Sequence, residues 1–196
     1  MNATLHRRDA VSFLLRLRKN LLVVAGLGST AWDITAAGDH DLNFPLWGAM
    51  GQAAMMGLGL ALAQPKRRVL VITGDGEMLM GLGSLATIGV QQPKNLTVVV
   101  IDNGRYGETG MQATHTASGV DLAGVANAAL FRNGVTVWQK KGLSGVVELI
   151  HETPGPNFAT IKVVAEKIPL VLPPREGALL KARFRRALLG RKADSV

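Results

Sequence analysis

Three stretches of this chain, Leu21–Ala25, Val69–Thr73 and Leu96–Asp102, are nearly unbroken apolar runs, and each stops in a polar turn with glycine. Runs of this length suit strands covered on both faces, which is the situation in a parallel sheet. The turns are Gly26-Leu27-Gly28-Ser29-Thr30, Gly74-Asp75-Gly76 and Asn103-Gly104. Shorter runs at Val135–Trp138 and Phe158–Val164 extend the series. Between them lie segments with helical spacing: Asp9–Lys19, Gly48–Ala63, Glu77–Gln91, Asp121–Leu130 with Asp121 as N-cap, and Ser144–His151. Trp32–Phe44 reads as irregular and polar. Strands alternating with helices at this pace predict an α/β fold, a three-layer α/β/α arrangement around a mostly parallel central sheet. Residues 1–170 read as one domain with an N-terminal helix. After an extended Pro169–Pro174 linker, residues 171–196 read as a basic helical extension, with Leu180, Phe184 and Leu188 on one side.

Composition removes several function classes. There is no cysteine, so disulfides and thiolate metal sites are excluded. The histidines His6, His40, His115 and His151 lack zinc-ligand spacing, and His40 reads as a solvated loop residue. No apolar run reaches the ~18 residues of a membrane span, and Arg16, Arg18 and Lys19 interrupt any signal-peptide core. The expectation is a cytoplasmic protein without membrane contact. The net charge of +8 resides in the ends: residues 1–20 carry +4, residues 175–196 carry +5, and the remainder carries −1. With no aromatic residues interleaved in the basic tail, solvated or docking helix faces are expected there, and no nucleic-acid binding.

In an open parallel sheet, ligands bind outside the carboxyl ends of the strands. Two strand ends here carry oxygen donors for a hard cation: Asp75 supplies a carboxylate and Asn103 an amide oxygen. The 26 residues from Glu77 to Asp102 match one helix, a turn and one strand, so both donors fall on one edge of the sheet. The helix after Gly76 would aim its N-terminus at an anion.

Gly74-Asp75-Gly76, 26 residues and then Asn103 resembles the signature of thiamine diphosphate-dependent enzymes. Leu46-Trp47-Gly48-Ala49-Met50-Gly51 resembles the segment before the buried helix in their decarboxylase and acetolactate synthase branches, and Asp102–Gly107 resembles their metal loop. The similarity covers about residues 21–165, and it implies the thiamine diphosphate-binding fold of that family. It implies that Asp75 and Asn103 hold magnesium by side chain and Arg105 by its carbonyl. Gly76 and Glu77 would face the diphosphate through their amides, with Ser29 also reaching it. Gly74, Tyr106 and Gly107 would lie at the cofactor as well. The Gly48 carbonyl would accept from the aminopyrimidine amine, and Met50 would sit under the bend of the cofactor. Met50 and His115 are the candidate catalytic residues. His115 reads either as an acid or base facing substrate or as a surface-loop histidine. The Arg105 guanidinium would either meet an acidic substrate or be solvated. Glu77 departs from the serine often found there. Its side chain would either turn away from the diphosphate or favour the helix N-terminus.

The loop Asp102-Asn103-Gly104-Arg105-Tyr106-Gly107-Glu108-Thr109-Gly110-Met111-Gln112 resembles that of the split decarboxylases of 2-oxo acids, the small subunits of sulfopyruvate decarboxylase and the matching part of phosphonopyruvate decarboxylase. That resemblance implies decarboxylation of a 2-oxo acid. It also implies a partner subunit bearing the pyrimidine-binding domain and its catalytic glutamate, since Glu108, Glu148 and Glu152 are not placed as that residue would be. A heterodimer-based, even-numbered assembly follows. The alternatives are an acetolactate synthase-like carboligase subunit and a non-catalytic cofactor-binding module.

Overall fold

The computed structural model describes residues 3–194. Its elements in chain order are α1 (Arg7–Leu15), β1 (Leu22–Ala25), α2 (Ser29–Ala36), β2 (Asn43–Pro45), α3 (Ala53–Ala63), β3 (Val69–Gly74) and α4 (Asp75–Met80). There follow α5 (Ser84–Gln91), β4 (Leu96–Asp102), β5 (Arg105–Tyr106), β6 (Gln112–Ala113), α6 (Leu122–Ala128), β7 (Asn133–Val137), α7 (Leu143–His151), β8 (Asn157–Lys162) and α8 (Gly177–Leu189).

Six strands form one sheet in the order β2-β1-β3-β4-β8-β7, every pair parallel. The expected α/β/α layering is present. Side chains alternate across the sheet, as the twofold period of a strand requires. Leu22 and Val24, with Val69, Val71, Val98 and Phe158, pack with α3, α5 and α6. Val23 and Ala25, with Leu70, Ile72, Val99 and Ile161, pack with α1, α2 and α7 on the other face. The chain leaves β1 toward β2 on one side and then returns to β3 on the other. The sheet therefore has its topological switch point between the carboxyl ends of β1 and β3, where open α/β sheets take their ligands. Among the described residues, no helix is long and apolar enough to cross a membrane.

Three local expectations are corrected. Trp32–Phe44 is not irregular: α2 runs to Ala36, and Asn43–Pro45 is the edge strand β2. Thr30 and Thr35 hydroxyls donate to the Gly26 and Ala31 carbonyls one turn back, and Asp33 is buried in an ion pair with Arg7 of α1. A helix whose polar residues are satisfied this way shows no amphipathic stripe. Second, the helix predicted from Gly48 begins at Ala53, because Ala49 (φ 56°) and Gly51 (φ 90°) are left-handed. Third, Glu77–Gln91 is two helices. The break falls at Gly81, where a β-carbon would lie 2.1 Å from the Gly51 carbonyl oxygen.

Elsewhere the expected elements are found within a few residues of their expected ends, including the Asp121 cap, whose carboxylate accepts from the Ala123 amide at 3.1 Å. The C-terminal helix α8 joins the core. Leu180 and Phe184 are buried, and the Phe184 ring meets Phe44 of β2 edge-on at 5.4 Å. Arg183 donates to both carboxylate oxygens of Asp39, at 2.6 and 3.0 Å. The Trp47 indole donates to the Pro174 carbonyl at 2.8 Å.

The Arg7–Asp33 pair joins α1 to α2, and Arg7 also donates to the Ser29 carbonyl at 3.1 Å. Arg7→Ala would leave Asp33 buried with only the guanidinium of Arg8, 3.2 Å away, for a cation. It should cost ~3 kcal/mol of unfolding free energy. Urea titration of the purified variant checks this, and a change within experimental error would show the pair to be dispensable.

Candidate active site

The site gathers where β1, β3 and β4 end. Asp75 opens α4 directly after β3 and is buried, with 2% of its surface exposed. Its Oδ2 accepts from the hydroxyl of Thr114 at 2.6 Å and lies 3.3 Å from the Thr116 Oγ1. The Asn103 amide also faces it, which brings the end of β4 against the end of β3. Among the described residues no lysine, arginine or histidine pairs with this carboxylate. Burial pushes its pKa up from 3.8 to about 6, and the nearby Asp102 charge adds to the rise against the hydrogen bond from Thr114.

Asn103 is held in a tight turn. Its Oδ1 accepts from the Arg105 amide at 2.8 Å, and Gly104 takes a positive φ of 67°. Asp102 anchors the loop from below. Its carboxylate accepts from the Gly104 amide (3.0 Å), Thr116 hydroxyl (2.8 Å) and Lys162 ammonium (2.6 Å). A continuous chain of contacts therefore runs from Lys162 through Asp102 and Thr116 to Asp75. These supporting residues were missed in the sequence. Thr114-His115-Thr116 offered the one signal, two hydroxyls two residues apart after the metal loop.

The hairpin of β5 and β6 lays Tyr106 against Gly76, where a β-carbon would come 2.6 Å from the ring. Gly76 is thus glycine because of Tyr106. At Gly74 and Gly48, by contrast, a β-carbon would meet nothing within 4 Å, so both face open space. Gly107 and Arg105 are exposed. Ser29 starts α2 at the end of β1, and the Glu108 carboxylate folds over neighbouring Gly28. Met50 is half-buried in the turn before α3. His115 is exposed between two buried threonines.

Glu77 is turned inward. It is 4% exposed, and its Oε2 accepts from the Thr73 hydroxyl at 2.8 Å and its Oε1 from the Gly51 amide at 3.3 Å. Burial raises its pKa, opposed by these donors. Of the two readings of this side chain, the structure has it turned away into the protein, leaving its amide in the first turn of α4.

Residues 28–159 match the family model of the thiamine pyrophosphate enzyme, C-terminal TPP binding domain. The chain belongs to the thiamine pyrophosphate enzyme family. It is 36% identical over 165 residues to a sulfopyruvate decarboxylase subunit beta from Methanothermobacter thermautotrophicus, covering 82% of this chain and 88% of that subunit. It is 45% identical over 105 residues to the corresponding subunit of Methanocaldococcus jannaschii, covering 54% of this chain and 55% of that one. It is 39% identical over 150 residues to a phosphonopyruvate decarboxylase from Streptomyces viridochromogenes, covering 76% of this chain but 37% of that protein. The chain therefore spans less than two thirds of the length of the phosphonopyruvate decarboxylase and of the Methanocaldococcus jannaschii subunit. A solved structure described as a thiamin diphosphate-dependent enzyme from Mycobacterium smegmatis superposes with a TM-score of 0.71 at 20% identity, over 83% of this chain and 32% of that one. That likeness concerns the fold.

The donors present fit the family's cofactor and a magnesium ion. Among the described residues no three His, Asp or Glu side chains cluster as a metal cage. A buried carboxylate paired with no lysine, arginine or histidine among the described residues, with an asparagine amide oxygen at the next strand end, is an incomplete oxygen set of the kind magnesium completes with phosphate and water. Asp75, Asn103 and the Arg105 carbonyl would hold the ion, and the first-turn amides of α4 would meet the diphosphate.

Because the metal needs the ionised carboxylate, magnesium affinity should rise with pH through about 6 and level off above it. For the metal-free protein the sign is opposite. A raised carboxyl pKa contributes stability that is complete below 3.8 and lost as pH rises through about 6. Magnesium-dependent thiamine diphosphate binding should therefore be ~10-fold weaker at pH 5 than at pH 7.5. Asp75→Asn, lacking the charge, should melt higher than wild type at pH 7.5 without metal, and gain nothing from magnesium. Calorimetric titration and thermal melts at both pH values check these outcomes. Equal magnesium stabilisation of Asp75→Asn and wild type would remove Asp75 from the metal site.

Proposed function

We propose that this chain is the pyrophosphate-binding subunit of a magnesium- and thiamine diphosphate-dependent 2-oxo acid decarboxylase, working with a partner chain that bears the pyrimidine domain. The carrying observation is the buried, cation-free Asp75 beside Asn103 at the sheet's switch point. The near full-length match to a sulfopyruvate decarboxylase subunit beta supports the subunit reading. When bound, the cofactor supplies the electron sink for carbanion chemistry at the 2-oxo carbon.

This chain's residues bind and orient. Asp75 and Asn103 fix the metal and through it the diphosphate, and Thr114, Thr116 and Asp102 hold Asp75 in one rotamer. Gly48 and Met50 present a carbonyl and an apolar side chain to the other end of the cofactor. His115, exposed at the rim, is free to meet a substrate or the partner. Arg105 stands on the same rim with a cation suited to an acidic substrate.

A partner chain is supported by the surface beside the site. No charged residue occurs from Leu42 to Pro65, and Met56 and Leu62 of α3 are exposed. An uncharged apolar face continuous with an open cofactor site suits burial by the chain that closes that site. A soluble, cytoplasmic assembly with an even number of chains accords with this reading.

Native mass spectrometry of the protein isolated from its own cells, with magnesium and thiamine diphosphate, should show a second chain and bound cofactor. In that assembly Asp75→Ala should lower 2-oxo acid decarboxylation at least ~100-fold, as loss of a metal ligand does. Full turnover by the variant would refute the metal assignment. Joining of the product to a second 2-oxo acid, in place of aldehyde release, would favour the carboligase reading.

A further inference from the structure

We infer that Glu77 is a positioning residue whose carboxylate fastens together the three segments that present the cofactor's binding groups. This inference rests on the cofactor reading above and extends it to a side chain that makes no contact with the site's open face. The carboxylate collects donors from three separate places. Thr73 belongs to the end of β3, one residue before Gly74-Asp75, and donates to Oε2 at 2.8 Å. Gly51 donates its amide to Oε1 at 3.3 Å, and the Ala53 amide at the start of α3 also faces the group. The Leu27 amide approaches from the loop after β1, two residues before Ser29. One anion thus spans the loops that carry Ser29, Gly48–Met50 and Asp75.

Two features show that the arrangement is built around the carboxylate. At Gly26 a β-carbon would lie 1.7 Å from Glu77 Oε2, so glycine there makes room for the acid. The segment it grips is one that would not hold itself: Ala49 and Gly51 both take positive φ, and no helix or strand encloses residues 48–52. No lysine or arginine accompanies the buried charge among the described residues. A buried anion held by neutral donors is a poor source of stability compared with an apolar side chain of the same size. Its gain is geometric: hydrogen bonds from Thr73 and Gly51 to charged acceptor oxygens, with the Leu27 and Ala53 amides facing the same group, are directional and fix register between loops.

The consequence is uneven along the cofactor. The diphosphate and magnesium depend on Asp75, Asn103 and the α4 amides, which Glu77→Gln leaves in place. The pyrimidine end depends on Gly48 and Met50, which have the Gly51 tether to Glu77 behind them. In Glu77→Gln the new NH2 group would confront donors with a donor.

The test uses the protein in the assembly it forms in its own cells and two probes, thiamine diphosphate and inorganic diphosphate, each titrated calorimetrically with excess magnesium. Glu77→Gln should weaken thiamine diphosphate about tenfold, the scale of one lost hydrogen bond to a charged group, and inorganic diphosphate less than about twofold. Thr73→Val, nearly isosteric and keeping Glu77 itself, should show the same split at about threefold, and serves if Glu77→Gln does not fold. Unchanged thiamine diphosphate affinity in both variants overturns the inference. So does an equal loss for both probes, which is what a general loosening of the fold produces. A wild-type assembly that binds neither probe overturns the cofactor reading itself, and this inference with it.

Discussion

Because all six strands of the central sheet run the same way, every connection must cross over a face, and every strand end arrives at one edge. Parallel pairing permits no tight hairpin between neighbours. Helices therefore cover both faces, which is why the strands are apolar throughout and why polar residues are pushed to their ends. Asp75 and Asn103, 28 positions apart, meet for this reason alone. So do Thr73, at the end of β3, Gly26, in the connection after β1, and Gly51, in the connection between β2 and α3.

At that shared edge, two buried carboxylates are treated differently. Asp102 has Lys162 as a counterion and sits below the loop as its anchor. Among the described residues Asp75 has only hydroxyl and amide groups as partners, and its pKa is raised to about 6. A protein interior tolerates an unpaired anion poorly. The imbalance is economical if a divalent cation is the missing partner, as in the function proposed above. Glu77 is a third buried acid, with neutral donors only, and its environment ties loops together instead of waiting for a ligand.

Much of this was legible in the residues. The apolar runs located β1, β3 and β4 nearly to the residue, and the spacing of the two donors placed them on one edge. What the sequence hid were elements stabilised by distant partners. α2 lacks an apolar stripe because Asp33 is neutralised by Arg7 from another helix and its threonines bond back to the backbone. The Gly48–Gln52 turn read as part of the following helix because the uncharged, largely apolar stretch runs through it to Ala63. Its left-handed Gly51 lies against Met80–Gly81 and Glu77, which are some thirty positions away.

The sequence by itself determined the central strands, their direction and the placing of Asp75 and Asn103 on one edge, because hydrophobic periodicity and strand-end chemistry are local properties of the chain. Only the tertiary structure decided which side chains support that pair. Thr114 and Thr116 on Asp75, Lys162 on Asp102, Tyr106 on Gly76 and the inward turn of Glu77 are contacts across the fold. Side-chain contacts of this kind depend on the packing of whole elements, and no spacing along the chain encodes them.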